Sequence, residues 1–451
     1  MTDSLHTKRK SQMSDKERIR DFQRKLYRKA KQEQEFRFYV LYDKVRSLRF
    51  LRDAYKRVKR KGGAAGVDGQ TFTEIEEAGL EGFLKEINQE LEEKSYKPKP
   101  VRRVYIPKAN GKQRPLGIPT IRDRVIQMSC KMVIEPIFEA DFKDTSYGFR
   151  PKRSAHDAMR AVGKHLKADR TQVYEVDISN YFDTIPHSQL LRLIGKRISD
   201  KNVIHLIKMW LRAPIVEEGR ITGGKKNKQG IPKGGVISPL LANIYLNVLD
   251  RVVNREEGIY KRRGIHIVRY ADDYILMGRE MHEGIQERMK RLMERMGLKI
   301  NQEKSRLVQA KEKPFDFLGF TIRYDRDLHG NNKRYWNIIP SKRAIKKFRQ
   351  NMGDYIRKVG HLEKSELVAG LNLKIRGWIN YYDVSGVSYP AKAKRDLRWY
   401  LMHKLQRYYK RKSQRASRLY RRKVFEELVS RCGLIDPTKM LRSPAPVKVL
   451  D

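Results

Sequence analysis

The spacing of apolar residues divides this chain into a region of mixed helix and strand and a later helical region. Between about residues 100 and 325, short apolar runs with strand character alternate with longer stretches whose apolar residues recur every three or four positions. After Pro340 nearly all apolar positions follow the helical period. The pattern predicts an α+β fold with a helical C-terminal part, and we place the boundary near residues 325–340, where Asp, His, Gly and Asn cluster.

Local signals mark individual elements within this outline. Ser14 and Glu17 form a capping-box pattern at the start of a basic amphipathic helix. Residues 101–119 show a strand, a turn at Ala109-Asn-Gly111 and a second strand. The other predicted elements are strands at 172–177 and 315–322 and helices at about 123–139, within 187–212, at 236–253 and at about 283–296.

Two adjacent acids, in the sequence Tyr270-Ala-Asp-Asp273, lie between the apolar runs 265–268 and 274–277. This pattern predicts a turn between two strands with carboxylates at its tip. A surface turn is one interpretation, because Asp is a favoured turn residue. A metal site is the other, because partial burial of a carboxylate pair is costly without a cation, and we favour it for the full tetrapeptide.

Asp177 supplies a third carboxylate at the end of the strand predicted at 172–177. It can meet Asp272 and Asp273 only if the two strands are neighbours in one sheet. Three converging carboxylates suit magnesium, and two magnesium ions held there with a nucleoside triphosphate would stabilise both the attacking 3′ hydroxyl and the leaving pyrophosphate. Phosphoryl transfer also needs positive charge around the phosphates, which Lys108 and Arg114 beside the hairpin turn could supply.

The composition restricts the class of protein and its partners. Of the 451 residues, 39% are apolar, which is sufficient for packed cores, and the formal net charge is +47. Because this positive charge is spread along the chain, it predicts a nucleic acid partner. Only Cys130 and Cys432 are present, so we expect neither a disulfide framework nor a zinc-binding cysteine pair. Without a membrane span or a signal-peptide core, the expected location is cytoplasmic, with nucleoid association as an option.

The last part of the chain is the most basic. Between residues 392 and 423, fourteen Lys or Arg stand against one acid, Asp396, and aromatic residues are interspersed. This composition favours a helix that binds RNA, with cations for the phosphates and rings for stacking. A solvated helix whose aromatic residues fill a core is the alternative, and we expect both descriptions to hold in part.

Two motifs, Asp177-Ile-Ser-Asn-Tyr-Phe182 and Tyr270-Ala-Asp-Asp273, resemble the catalytic palm of reverse transcriptases. Further segments resemble, in order, the blocks of the group II intron reverse transcriptase and maturase family. They are Gly66–Gly69, Ile106–Thr120, Ser146–Pro151, Gly235–Tyr245, Asn301–Ser305, Phe317–Phe320 and, in the thumb or maturase domain, Arg376–Tyr382. The resemblance covers roughly residues 55–410.

This resemblance implies a right-hand polymerase with fingers, a palm built on an antiparallel sheet, and a helical thumb. The implied order is a basic helical extension (1–52), fingers (53–175), palm with returning finger elements (176–330), thumb or maturase domain X (335–410) and a basic tail (411–451). The chain is similar to bacterial members that lack the HNH endonuclease domain. The implied activity is magnesium-dependent DNA synthesis on an RNA template from a DNA or RNA primer, together with binding of group II intron RNA and assistance in splicing.

The resemblance also assigns roles to individual residues. The metal ligands would be Asp177, Asp272, Asp273 and the backbone carbonyl of Ile178, holding two Mg²⁺ ions for which Mn²⁺ could substitute. The deoxynucleoside triphosphate would contact Lys108, Arg114, Ile178, Phe182 and Lys233. Template and primer would contact Pro119, Arg150, Gly234, Leu318, Gly319 and Phe320. RNA would bind the thumb at Arg376, Trp378, Tyr381, Arg398 and Lys404.

Phe182 would be the steric gate that excludes a 2′ hydroxyl, although without the motif a core aromatic would be the simpler interpretation. Lys233 departs from the family pattern, which usually has Gln in the Pro-Gln-Gly-Gly motif. An RNA-binding splicing cofactor with an idle polymerase centre is therefore one alternative. A domesticated reverse transcriptase in phage defence, repair or a CRISPR-linked system is another.

Overall fold

The structure, a computed structural model, describes residues 13–107, 111, 113–327, 333–411, 419 and 423–440. Its helices are α1 (Asp15–Gln32), α2 (Tyr42–Arg46), α3 (Leu48–Lys61), α4 (Phe72–Glu77), α5 (Leu80–Glu92), α6 (Ile121–Glu139), α7 (Ala155–Lys167), α8 (Tyr181–Thr184), α9 (His187–Gly195), α10 (Lys201–Leu211), α11 (Ser238–Val253), α12 (Ile259–Arg262), α13 (Glu283–Arg295), α14 (Lys342–Val359), α15 (Lys364–Tyr382), α16 (Ala391–Arg411) and α17 (Val424–Cys432). Its strands are β1 (Val101–Pro107), β2 (Gln113–Ile118), β3 (Gln172–Val176), β4 (Pro214–Glu217), β5 (Arg220–Gly223), β6 (His266–Tyr270), β7 (Asp273–Gly278), β8 (Arg306–Gln309), β9 (Phe315–Phe317), β10 (Phe320–Arg326) and β11 (Arg334–Pro340).

Most elements predicted from periodicity are confirmed. The helices predicted at 123–139, 236–253 and 283–296 correspond to α6, α11 and α13 within two residues at each end. The capping box is also confirmed: the Ser14 amide donates to the Glu17 carboxylate at 2.8 Å, and the Glu17 amide donates to the Ser14 hydroxyl at 3.3 Å. The described residues after Pro340 are mostly helical, as expected.

The prediction of one strand over 315–322 is wrong. Strands β9 and β10 are separate and antiparallel, with Phe317 paired to Phe320 across a two-residue turn. Leu318 and Gly319 both have positive φ, 50° and 79°, as the tightest hairpin turns require. The apolar run concealed this turn because Leu is an uncommon residue in the left-handed region.

The central sheet has the strand order β6-β7-β3-β8, and all of its pairs are antiparallel. Its side chains alternate between two hydrophobic cores. Tyr174, Val176 and Leu276 point into a first core shared with the N-terminal helices, whereas Val173 and Ile275 point into a second core. The sheet therefore forms the layer between the two halves of the molecule.

The N-terminal segment is part of the first core. Ile19, Leu26 and Ala30 of α1 are buried in the same cluster as α6, so this helix packs as an integral element. A second sheet, of order β2-β1-β4-β5, lies in this half of the molecule. Antiparallel β1 and β2 confirm the hairpin predicted at 101–119.

The second core joins the C-terminal helices to the sheet β11-β10-β9. Strands β10 and β11, on either side of the polar cluster near residues 325–340, pair along their full lengths, and residues 328–332 of that cluster lie outside the described residues. Helix α17 packs on α15 and α16 through Val424, Phe425 and Leu428. Among the helices of the described ranges, none is long and apolar enough to cross a membrane. The result is a mixed fold of an antiparallel sheet and a helical C-terminal part, consistent with the implied right-hand polymerase.

Candidate active site

The register of the central sheet brings the two acidic motifs together. Val176 at the end of β3 pairs with Tyr274 of β7. Asp177 and Asp273 are the next residues on the two antiparallel strands, so they leave the same edge of the sheet side by side. Asp272 is adjacent, in the turn between β6 and β7. The prediction that the two strands are neighbours in one sheet is confirmed.

The electrostatics of Asp273 reflect this arrangement. The pKa of Asp273 is raised to about 6, first by the loss of surrounding water and then by the charges of Asp272 and Asp177, against the opposing effect of Lys304. The Asp273 side chain keeps contact with solvent, so we attribute the shift to crowding in a cleft together with repulsion among the three carboxylates. Such mutual repulsion is relieved by a bound cation.

The loop before β8 holds Asp177 from both sides of its backbone. The Asn301 amide donates to the Asp177 carbonyl at 2.8 Å, and the Asp177 amide donates to the Ser305 hydroxyl at 3.1 Å. Lys304 of the same loop donates from Nζ to the Asp177 carboxylate at 3.1 Å. Ile178, the next residue, is buried and bridges to Ile300. The loop thereby fixes the direction in which the Asp177 carboxylate leaves the sheet.

The donor set fits a hard divalent cation that also binds a substrate. Within the described ranges, no group of three His, Cys, Asp or Glu side chains is placed so that it could hold a metal ion by itself. Magnesium is usually held by one or two carboxylates and completed by water and substrate phosphates, so a closed protein cage is not required. Asp177, Asp272 and Asp273 offer oxygen ligands only, which excludes the soft donor sets preferred by zinc.

The turn that carries Asp272 has a strained residue. Tyr270 pairs with Asp273, which leaves Ala271 and Asp272 as a two-residue turn. Ala271 has a φ of 58°, in the left-handed region that glycine favours. A turn of this kind is maintained only when its surroundings fix it.

A buried arginine provides that fixation. Arg269 of β6 is fully buried and donates to both carboxylate oxygens of Asp250 on α11, from Nε at 2.9 Å and from Nη2 at 2.5 Å. Its Nη1 donates to the Ala271 carbonyl at 2.8 Å and to the Asn243 side-chain oxygen at 3.0 Å. The guanidinium therefore ties the acidic turn to helix α11.

The segment Ser146–Phe149 supports the turn from the other side. Arg269 and Thr145 are joined by an amide-to-carbonyl bond of 2.9 Å, and the Tyr147 amide donates to the Arg269 carbonyl at 2.8 Å. A Cβ added at Gly148 would lie 2.4 Å from the backbone nitrogen of Ala271. Only glycine permits so close an approach, so any side chain at this position would displace the acidic turn.

A cavity of about 450 Å³ lies next to Phe182. The predicted site residues that line it are Arg114, Pro119, Phe182, Lys233 and Gly234. The structure thus brings together Arg114, the proposed gate residue Phe182 and the loop with Lys233 that departs from the family pattern. Lys108 lies outside the described residues.

Lys233 is paired within the protein. Its ammonium group donates to the Asp183 carboxylate, next to Phe182, and its carbonyl accepts a 2.6 Å bond from the Gly117 amide of β2. The extra positive charge relative to the usual Gln is therefore balanced by Asp183. Phe182 itself is half-buried, with its ring edge on Tyr181 at a centroid distance of 5.5 Å.

Several other residues expected to contact nucleic acid are placed inside the protein. Arg150 has a nearly buried side chain that bonds to the Glu139 carboxylate and to the carbonyls of Lys143 and Ser146. Trp378 lies in the second core, stacked on Phe348 at 5.2 Å. In this conformation, the side chains of Arg150 and Trp378 therefore contact other parts of the protein.

The turn at Leu318 and Gly319 contacts the helical C-terminal part. Tyr381 donates from its hydroxyl to the Leu318 carbonyl at 3.0 Å and stacks on Phe320 at 5.8 Å. Phe320 is fully buried, so neither its ring nor its backbone faces the surface in this conformation. Of the remaining predicted thumb residues, Arg376 is exposed, Lys404 is partly buried, and Arg398 donates to Asp436 at 3.0 Å.

Sequence reasoning missed the residues that position the acids. Arg269, Asp250, Asn243 and Lys304 were given no role, although Arg269 stands inside an apolar strand directly before the acidic tetrapeptide. A charged residue at a buried strand position requires a partner. The position of Arg269 in an apolar strand was therefore the feature of the sequence that could have indicated its role.

Comparisons with known proteins match two parts of the chain to described families. Residues 106–322 match the family described as reverse transcriptase (RNA-dependent DNA polymerase), and residues 345–424 match the group II intron, maturase-specific domain. Protein YkfC of Escherichia coli K12 is 34% identical over 362 residues, which cover 72% of this chain and 93% of YkfC.

The group II intron-encoded protein LtrA of Lactococcus lactis subsp. cremoris is 31% identical over 387 residues. The match covers 67% of this chain but 63% of LtrA, so less than two thirds of that relative is represented. An uncharacterized 91 kDa protein in the cob intron of Schizosaccharomyces pombe is 27% identical over 370 residues, covering 66% of this chain and 45% of that protein. The chain is therefore an RNA-directed DNA polymerase that carries a maturase domain, and it belongs to the family of group II intron-encoded reverse transcriptases.

Proposed function

We propose that this chain extends a DNA or RNA primer along an RNA template by nucleotidyl transfer from deoxynucleoside triphosphates, with Asp177, Asp272 and Asp273 as the ligands of two Mg²⁺ ions. Mn²⁺ would bind the same oxygen ligands. The observation that carries this proposal is the β3–β7 register, which sets Asp177 beside the Asp272-Asp273 turn. The raised pKa of Asp273 supports it, because it arises in part from the other two carboxylates.

The residues around the cleft would have different roles in the reaction. Asp177, Asp272 and Asp273 would hold divalent cations, which would supply charge stabilisation for the attacking and leaving oxygens. Asp177 is held by the Asn301–Ser305 loop, and Asp272 lies in the turn that Arg269 fixes. Arg114 and Lys108 would balance the triphosphate charge, and Ile178 would add a backbone carbonyl. Leu318, Gly319 and Phe320 would support the primer, and Pro119 and Gly234 would line the template and nucleotide cavity.

The direct test is extension of a labelled DNA primer on an RNA template by the full chain. We expect full-length DNA with four deoxynucleoside triphosphates and Mg²⁺, and loss of product when EDTA removes the metal. A matched reaction with a non-complementary template controls for untemplated addition. Absence of templated product from folded protein would overturn the polymerase assignment and favour a splicing cofactor with an idle centre.

Phe182→Ala is expected to raise ribonucleotide incorporation relative to deoxynucleotide incorporation by about tenfold or more, because removal of the ring opens space for a 2′ hydroxyl. The measurement is the ratio of kcat/KM for a ribonucleotide and its deoxynucleotide on one template. Phe182→Tyr, which keeps the ring, is the matched control and should retain the wild-type ratio. An unchanged ratio in the Ala variant would remove Phe182 from the gate.

We further propose that the helical C-terminal part binds group II intron RNA and assists its splicing. The match of residues 345–424 to the maturase-specific domain supports this partner. Arg376, Arg395 and Arg407 are exposed on α15 and α16 and are available for phosphates. Trp378 is buried and Arg398 is paired with Asp436, so we expect the exposed cations to recognise the RNA backbone and do not expect a base to stack on Trp378.

RNA binding by the chain should weaken steeply with salt. Contacts to about six to ten phosphates would reduce affinity on the order of a thousandfold or more between low and moderately high salt. Replacing Arg395 and Arg407 by Ala should lower affinity at low salt and flatten the logarithmic salt slope by about one per lost contact. Exposed Lys85 and Lys313, replaced in the same way, serve as the charge-matched control. A salt-independent affinity would contradict a phosphate-based interface.

A further inference from the structure

Phe149 combines an exposed ring with a strained backbone. Its side chain is 52% exposed, although Phe is usually buried, and its φ is 56°. A bulky residue other than glycine is rare in this left-handed region. Strained residues of this kind cluster at functional sites, where the surrounding structure holds them.

Both neighbours of Phe149 are anchored. Gly148 packs on the acidic turn, and its carbonyl accepts a 2.8 Å bond from the Asn243 side chain. Arg150 follows with a side chain that is only 2% exposed and is bonded to Glu139. Because the backbone is fixed on each side, the outward position of the Phe149 ring is built into the fold and does not reflect a loose loop.

The ring lies on the wall of the nucleotide cavity. Phe149 lines the same 450 Å³ space as Phe182 and Arg114, together with the segment 61–64 at the end of helix α3. Among the ring-to-ring and cation-to-ring contacts of the described residues, none involves Phe149, so the face of the ring has no aromatic or cationic partner in the protein. An uncovered aromatic face beside a nucleotide site is suited to a nucleobase.

Two bases would meet in such a cavity, that of the template and that of the incoming nucleotide. The residues around the cavity indicate which of the two lies on Phe149. Phe182 lines the part assigned above to the sugar of the incoming nucleotide, and Lys233, which pairs with Asp183, lines the same cavity. The segment 61–64 has two glycines and an alanine, which leave room for a nucleic acid backbone, and exposed Lys61 supplies a cation for its phosphate. This part of the cavity therefore suits the template strand.

We propose that Phe149 is the platform on which the templating RNA base stacks while it awaits the incoming nucleotide. The proposal rests on the polymerase function proposed above and adds a specific template contact to it. Stacking of one base on an aromatic side chain contributes enough that its removal should weaken binding of a template overhang by roughly 5- to 150-fold. The effect should depend on the presence of an unpaired base next to the primer end.

The test uses a DNA primer annealed to an RNA template with 2-aminopurine at the templating position, bound by saturating full-length protein without nucleotide. Stacking quenches this fluorophore. We expect strong quenching with the wild-type protein and with Phe149→Tyr, and bright emission with Phe149→Ala and Phe149→Leu. Phe149→Leu keeps apolar bulk without a π face, so it separates stacking from space filling. Tyr39→Ala, which removes another exposed aromatic, should behave as wild type.

Equal quenching by wild type and Phe149→Ala would overturn the proposal. The proposal would also be overturned if Phe149→Ala lost quenching to the same extent when 2-aminopurine stood several nucleotides further into the overhang. Thermal unfolding of each variant shows whether it is folded. If Phe149→Ala does not fold, the quenching measured with Phe149→Leu tests the proposal. Because the assay contains no nucleotide, it is independent of synthesis. Failure of the wild-type protein to extend a primer would instead count against the proposed function.

Discussion

Asp272→Asn is expected to reduce RNA-templated DNA synthesis on the order of a thousandfold or more while the protein stays folded. A metal ion at a transferring phosphoryl group contributes several kcal/mol of transition-state stabilisation, and each 1.36 kcal/mol corresponds to a factor of ten in rate. The carboxamide retains the shape of the side chain but loses its charge. The measurement is single-turnover primer extension at saturating Mg²⁺.

Asp169→Asn is a matched control, because Asp169 also lies in a tight turn that contains a positive φ, its own, but it pairs with Lys311. We expect this variant to synthesise DNA at the wild-type rate. Synthesis by Asp272→Asn at a similar rate would show that the acidic turn is a structural feature and would favour the surface-turn interpretation.

Arg269→Ala is expected to destabilise the protein by about 3–5 kcal/mol. Removal of one partner leaves the Asp250 carboxylate buried without a counter-charge, and breaking a buried pair in this way carries a cost of that size. The Ala271 carbonyl and the Asn243 side chain also lose a donor. The measurement is the midpoint and slope of urea unfolding, compared with the wild type.

The double variant Arg269→Met with Asp250→Leu separates stability from positioning. Replacing both charges by apolar groups of similar size should recover much of the lost stability. It should not recover DNA synthesis, because no group then fixes the Ala271 carbonyl in the strained turn. Recovery of both properties together would show that Arg269 contributes packing alone.

The fold was largely predictable because the elements follow simple periodicities. Helices α6, α11 and α13 carry apolar stripes at helical spacing, β7 has a continuous apolar run at 274–277, and β3 has apolar residues interrupted only by Glu175 before Asp177. The β9–β10 hairpin was not predictable, because Leu318 gives no sign in the sequence that its backbone turns. The division into fingers, palm and thumb remains a prediction, although the helix at 424–432 packs with the thumb helices in one core.

Within the candidate site, only the acidic residues were predictable from the sequence. Asp177 and the Asp272-Asp273 pair are marked by local pattern, and their meeting follows from one strand pairing. The residues that hold them are not marked in this way, since Asn243, Asp250 and Ser305 reach the site from separate elements. Burial also cannot be read from an aromatic residue alone: Trp378 is internal, whereas Phe149 is exposed.

Binding of Mn²⁺, followed by electron paramagnetic resonance, tests the shared carboxylate site most directly. The complex would contain the protein, an RNA template, a chain-terminated primer and the complementary deoxynucleoside triphosphate. We expect tight Mn²⁺ binding by the wild type and by Asp169→Asn, and clearly weaker binding by Asp177→Asn and by Asp273→Asn. Wild-type affinity in the Asp177→Asn variant would contradict a metal site formed jointly by the ends of β3 and β7.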